Sequence, residues 1–282
     1  MARAWLVTVL RVDDTDVHVQ VDGPEGAPIL VMVHGMTCSL RWYDAITALL
    51  ADTFRVIRMD LRGHGSTRGG SGLQPADQAR MIAALLDALG VTAQDDVTLI
   101  GHSWGNDATT DLAASTGLVT RIVVLGQGPS YAPGVATMPR VGALLALPYL
   151  ARLHRFAPDA LLRGGLALGF APGFDHQAAF ADPQQAYIDL RGADHRIPRI
   201  VIHDRRAQLA ANGLDKRLQV LGLPALVILG EQDSFYPPEA SRALYEAVGA
   251  QVVVLGGVGH SVQVERPVEV AQLIRDFAPS AA

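Results

Sequence analysis

The apolar run Val97 to Ile100 stops abruptly at Gly101-His102-Ser103-Trp104-Gly105, and a helix-compatible segment, Asp107 to Ser115, follows at once. A strand, a sharp turn and a helix with a serine at the tip is the context that a G-x-S-x-G elbow requires. Gly101 and Gly105 leave room for strand and helix to approach closely, where a Cβ would clash. Ser103 is therefore expected above the C-terminal edge of a sheet, near the positive end of a helix dipole. The pentapeptide alone also fits an ordinary glycine-rich turn, so the rest of the chain has to decide.

Other segments of the chain fit the same plan. Trp5 to Val12 and Val17 to Val21 flank the turn Asp13-Asp14 and read as an antiparallel strand pair. Ile29 to Val33 is a continuous run of branched and apolar residues, as expected of a strand buried on both faces of a parallel sheet. Further strands are predicted at Phe54 to Met59, Arg121 to Leu125, Ala225 to Leu229 and Val252 to Leu255. Helical segments fall between them: Arg41 to Leu50, Pro75 to Leu89, one from Pro237-Pro238 to near Gly249, and Pro267 to Phe277. Strands alternating with helices predict an α/β protein with a mostly parallel sheet and helices on both faces. Gln127 to Leu223 interrupts the alternation with eight prolines and the apolar helical pieces Val141 to Leu153 and Ala160 to Leu168. It reads as an inserted helical cap over residues 127–223, with residues 1–126 and 224–282 forming the core.

With 282 residues, 49% of them hydrophobic, the chain suits one large globular domain with an inserted subdomain. A net charge of −5 gives no electrostatic footprint for nucleic acid, and no apolar run approaches a membrane span. The N-terminus lacks the apolar core and cleavage site of a signal peptide. The single cysteine, Cys38, excludes an intrachain disulfide and points to a reducing, cytoplasmic setting. Cys38 itself reads as a small filler. Asp194-His195 and His203-Asp204 match no metal-ligand spacing and read as solvated surface, so no metal is expected. Asp107 and Asp111 read as helix residues suited to the dipole.

Two residues complete a constellation with Ser103. Asp233 follows the strand Ala225 to Leu229, and His260 follows the last strand, so both belong on the rim that carries Ser103. The chain order Ser, Asp, His suits a nucleophile, an orienting acid and a general base. The oxyanion of a tetrahedral intermediate would need backbone donors. The candidates are the N–H of Trp104 and that of Met36, in the loop after the strand Ile29 to Val33. Trp42, Tyr131, Phe235 and Tyr236 are candidate pocket walls by position, each of which could equally be core.

On five motifs the sequence resembles the α/β-hydrolase superfamily, in its small soluble esterase, lactonase and haloperoxidase-like branch. These are His34-Gly35, the segment Asp60 to Ser66, Gly-His-Ser-Trp-Gly at 101–105, Gly-Glu-Gln-Asp at 230–233, and Gly-Val-Gly-His at 257–260. The resemblance implies an eight-stranded sheet and a catalytic triad of Ser103, Asp233 and His260. It also implies a loop-ordering role for His34. His64 reads as a loop brace and His102 as packed against the sheet. Serine at 103 argues against relatives that use an aspartate nucleophile. Ser261-Val262-Gln263 stands where carbon–carbon hydrolases usually carry a tryptophan. Asn106 adds a polar group at the elbow with no evident role.

The expected activity is a serine hydrolase cleaving an ester, thioester or lactone of a small hydrophobic substrate without a cofactor. A non-hydrolytic tailoring enzyme (cyclase, acyltransferase or cofactor-free haloperoxidase-like) and a non-catalytic ligand-binding module are the alternatives.

Overall fold

The computed structural model describes residues 7–67, 72–131 and 156–279. Eight strands form one sheet: β1 (Val7–Val12), β2 (Thr15–Asp22), β3 (Ile29–Val33), β4 (Arg55–Met59), β5 (Val97–His102), β6 (Val119–Leu125), β7 (Ala225–Gly230) and β8 (Gln251–Leu255). Their spatial order is β1-β2-β4-β3-β5-β6-β7-β8. β2 runs antiparallel to β1 and β4, and all later pairs are parallel. This is the mostly parallel sheet that the strand pattern predicts, with the eight strands that the resemblance implies.

The continuous apolar character of β3 has a direct structural reason. Leu30 and Met32 face one core layer, with α1 (Asp44–Leu50) and α11 (Pro267–Phe277). Val31 and Val33 face the other, with α2 (Pro75–Ala88) and α3 (Gly105–Ser115). A strand covered on both faces has no polar side to show. The expected helix over Arg41 to Leu50 is two elements. A 3-10 turn, Leu40–Tyr43, starts on Ser39, whose Oγ accepts from Arg41 N, and α1 follows it.

Between β6 and β7 the chain runs through a series of helices: α4 (Asp159–Ala167), α5 (Gln185–Gly192), α6 (Ile197–Arg199), a π-helical turn (Ile200–Asp204), α7 (Arg205–Ala211) and α8 (Leu214–Leu221). The expected helix over Val141 to Leu153 lies outside the described residues. α8 packs on α3, and its Leu214 and Leu218 join the core layer beneath the sheet. A separate apolar cluster unites Leu166, Phe170 and Ala186 with Cys38 and Trp42 of the loop after β3 and with Val264. After β8 come the short α10 (Val262–Glu265) and then α11; α9 (Pro238–Glu246) lies between β7 and β8. Among the described residues no helix is long and apolar enough to cross a membrane.

Candidate active site

Ser103 stands at the tip of the turn between β5 and α3 with φ 51°, a left-handed conformation uncommon outside glycine. The surrounding structure holds it there. Ser103 N donates to Leu125 O at 2.9 Å, which pins the turn to the end of β6. Asn106 Nδ2 donates to Ser103 O at 3.0 Å and more weakly to Leu125 O. This supplies the role for Asn106 that sequence reasoning lacked. The two glycines are required by space: a Cβ at Gly101 would fall 2.4 Å from Asn106 Oδ1, and one at Gly105 would fall 2.4 Å from Val33 O. Because the turn is this tight, α3 begins at Gly105, two residues before the predicted start.

Asp233 and His260 arrive from the ends of β7 and β8. His260 Nδ1 lies 2.8 Å from Asp233 Oδ2. The other carboxylate oxygen accepts from the backbone N–H groups of Phe235, at 2.7 Å, and Tyr236, at 3.1 Å. A carboxylate so held accepts from Nδ1–H, which leaves Nε2 as the basic nitrogen. Ser103 and His260 line one cavity of about 210 Å³. Among the described residues no hydrogen bond yet joins Ser103 Oγ to the imidazole. Such contacts are often loose before substrate binds.

The loop after β3 approaches the same point. Thr37 has φ 57°, the same left-handed conformation as Ser103. Among the described residues, neither the N–H of Met36 nor that of Trp104 is taken by a backbone or side-chain acceptor. His34 braces this loop. It is buried, accepts from Leu61 N through Nε2 at 3.0 Å, and donates through Nδ1 to Gly35 O at 2.8 Å. Burial holds its pKa below the usual imidazole range. His64 is held neutral in the same way, with its pKa pushed down to about 3 by burial. His102 does more than pack on the sheet. It lines the cavity, and its Nε2 lies 3.2 Å from His260 O, so it holds the loop that carries His260.

The four candidate wall residues, Trp42, Tyr131, Phe235 and Tyr236, all line this cavity. Phe235 stands edge-on to the His260 ring at 4.9 Å between centroids, and Tyr236 lies at 5.9 Å. Cys38 also lines it, but burial pushes its thiol well above the ordinary range, which fits a filler. The pairs at 194–195 and 203–204 make local contacts: Asp194 holds Arg196, and His203 Nδ1 lies 3.0 Å from Asp204.

Three buried carboxylates near the cavity carry no motif. Glu265 Oε2 accepts from Gly259 N and Ala171 N, both at 3.0 Å, so it ties the His260 loop to the inserted helices. Ser261 reinforces that tie through Oγ to Gly169 O at 2.7 Å. Asp107 lies in the first turn of α3, as the helix-dipole reading expects, and is in addition buried against Arg205 and Arg217, residues about a hundred positions later. Asp189 of α5 accepts from Ser39 Oγ at 2.8 Å, Trp42 Nε1 at 2.9 Å and Gln185 Nε2 at 2.9 Å.

Burial pushes the Asp189 carboxyl up to about 6, against the pull of its hydrogen bonds. A carboxyl with a raised folded pKa favours the native state fully below its unfolded value, and that advantage fades as pH rises through the folded value. Between pH 5 and pH 7 the native state therefore loses about 1 kcal/mol through this group. Asp189→Asn, neutral at every pH, is expected to flatten that part of the stability profile. Urea titrations of both proteins across this range measure it. Equal slopes for the two would show that Asp189 is ionised throughout.

The comparisons agree with this architecture. Residues 30–273 match the model of the alpha/beta hydrolase family, and the chain belongs to that family. A 2-hydroxymuconate semialdehyde hydrolase of Pseudomonas putida is 29% identical over 82% of this chain and 79% of its own. A 2-hydroxy-6-oxononadienedioate/2-hydroxy-6-oxononatrienedioate hydrolase of Dechloromonas aromatica is 27% identical over 95% of this chain and 93% of its own. Among solved structures, an esterase from Rhodococcus sp. ECU1013 superposes with a TM-score of 0.76 at 26% identity over 98% of both chains. The enol-lactonase from Burkholderia xenovorans LB400 shares the fold at a TM-score of 0.76 and 24% identity, over 96% of this chain and 99% of its own. The chain is a hydrolase-family enzyme.

Proposed function

We propose that this enzyme is a serine hydrolase that cleaves a carboxylic ester, thioester or lactone of a small hydrophobic substrate through an acyl-enzyme on Ser103. The observation that carries the reading is the left-handed Ser103 facing one cavity together with a His260 imidazole oriented by Asp233. His260 Nε2 takes the Ser103 proton during attack and returns it to the leaving group. Asp233 fixes the tautomer and stabilises the imidazolium. The oxyanion is held by the N–H groups of Met36 and Trp104, which have no acceptor among the described residues. Water then repeats the sequence on the acyl-enzyme and frees the acid.

The helices that follow β6 act in this reading as a cap. Leu161, Leu162 and Leu166 of α4 and Val201 and Ile202 of the π-helical turn give the cavity its apolar wall. Such a wall suits a hydrophobic acyl or alkyl group. It also favours the second reading, in which excluded water lets another acceptor take the acyl group. A panel of alcohols and amines offered to the acyl-enzyme separates the two: only acid product supports hydrolysis.

A fluorophosphonate probe at neutral pH tests the central step. The expected result is one covalent adduct, mapped by peptide mass spectrometry to Ser103 and prevented by prior incubation with a p-nitrophenyl ester. An unlabelled, folded protein would refute an activated Ser103.

A further inference from the structure

The cavity has a second polar pole, away from the reacting atoms. Arg205 opens α7 directly after the π-helical turn, a local widening of the helix that is frequent at functional sites. It lies in the cavity wall although it is only 1% exposed. Its Nε faces Asp107 Oδ2 in an ion pair. Its Nη1 donates to Tyr131 Oη at 3.3 Å and to Tyr236 Oη at 3.2 Å. Its Nη2 has no hydrogen-bond partner among the described residues. A guanidinium has five N–H groups; here Nε meets Asp107 only as an ion pair, without hydrogen-bond geometry, and the two on Nη2 are desolvated with no acceptor among the described residues.

The charge balance says what kind of acceptor fits. Arg217 also pairs with Asp107, at 3.2 Å, and with Asp111. The cluster thus holds two cations and two carboxylates. Burial pushes the Tyr236 phenol well above its ordinary range, so it adds no charge. A substrate carboxylate would arrive as a third buried anion beside two cations that are already matched, with its own desolvation uncompensated. A neutral carbonyl oxygen would accept from Nη2 and add no charge. The phenol pair also sets the position: Tyr236 lies 5.9 Å from the His260 ring, and Tyr131 lies 6.0 Å from Tyr236.

We propose that Arg205 Nη2 binds a neutral carbonyl oxygen of the substrate, remote from the bond that is cleaved, so that the preferred substrates are oxo-bearing hydrophobic acyl compounds. This rests on the serine-hydrolase reading of the same cavity and narrows its substrate class.

The test measures binding to Ser103→Ala protein by calorimetry, so that no turnover is needed. Three sets of probes are compared: methyl alkanoates, methyl oxoalkanoates with the ketone walked along the chain, and the monomethyl esters of dicarboxylic acids of matching length. One ketone position is expected to bind about tenfold more tightly than its alkyl parent, as for a hydrogen bond from a charged donor. The matching carboxylate is expected to bind more weakly than the parent. In an Arg205→Lys background, which keeps a cation beside Asp107 but has no Nη2, the ketone gain is expected to vanish. No gain at any ketone position, or tighter binding of the carboxylate than of the ketone, overturns the proposal. Should Arg205→Lys fail to fold, the three probe sets on Ser103→Ala alone still decide. Failure of the wild type to cleave any ester would refute the serine reading and leave this comparison intact.

Discussion

Ser103→Ala is expected to hydrolyse a short-chain p-nitrophenyl ester at least about ten-thousand-fold more slowly than the wild type, with the melting temperature unchanged within a few degrees. The size follows from the proposed role of Ser103: without the hydroxyl no acyl-enzyme could form, and the proposed general base would have no nucleophile to activate. What would remain is the catalysis that the proposed oxyanion donors supply to attack by water. The fold is spared because alanine at φ 51° carries the same backbone strain as serine, and the backbone bonds of Ser103 to Leu125 and Asn106 persist. His260→Ala, alone or combined with Ser103→Ala, is expected to give nearly the same rate, since residues that act as a unit are lost together. Independent, multiplicative losses in the double variant would contradict the mechanism.

The second large effect falls on Asp60, which touches none of the reacting groups. Its buried carboxylate accepts from Leu40 N at 2.8 Å, from Ser66 N at 2.8 Å and from His18 Nδ1 at 2.7 Å. It thereby joins β2, the loop after β3 and the loop after β4. Burial opposes its ionisation, but these hydrogen bonds and the nearby His34 hold its pKa below the ordinary carboxylate range. Asp60→Ala leaves the fully buried Leu40 N–H without an acceptor and is expected to cost about 3 kcal/mol. Asp60→Asn should recover part of this. The pH dependence has a definite sign. A depressed folded pKa gives stability that is present above the unfolded value and is lost as pH falls through the folded one. The gap between wild type and Asp60→Ala should therefore narrow in acid. Urea denaturation near neutral pH and again below about pH 4, under the unfolded carboxylate value, measures both statements, and a gap of constant size would mean that the carboxylate charge is irrelevant.

Much of this architecture could be read from the sequence because it is local. Apolar runs such as β3 announce burial on two faces, and the glycines around Ser103 announce a turn that no Cβ could share. The rim that gathers Ser103, Asp233 and His260 follows from the ends of three parallel strands. The rest is not local. Asp189 meets Ser39 and Trp42 across about one hundred and fifty positions, and Arg205 meets Asp107 across about one hundred. No spacing or periodicity encodes such a pair; it exists only once the helices after β6 fold back over the sheet. Asn106 was visible but had no role, because its partners, Ser103 O and Leu125 O, are backbone atoms brought together by the sheet register.

The origin of the cavity walls has a consequence for how such an enzyme changes over generations. The groups proposed to react hang from β5, β7 and β8, whose registers fix one another. Much of the surface that greets a substrate comes from α4, α5 and the π-helical turn. In the proposed reading, substitutions at the cavity-facing Leu161, Leu162, Val201 and Ile202 alter what is admitted while the strand ends keep the spacing of the reacting groups. On that reading selectivity and chemistry are inherited through largely separate stretches of the chain, and directed evolution aimed at those four positions, sparing Gly169, Ala171 and Asp189, can search for new substrates on the same chassis.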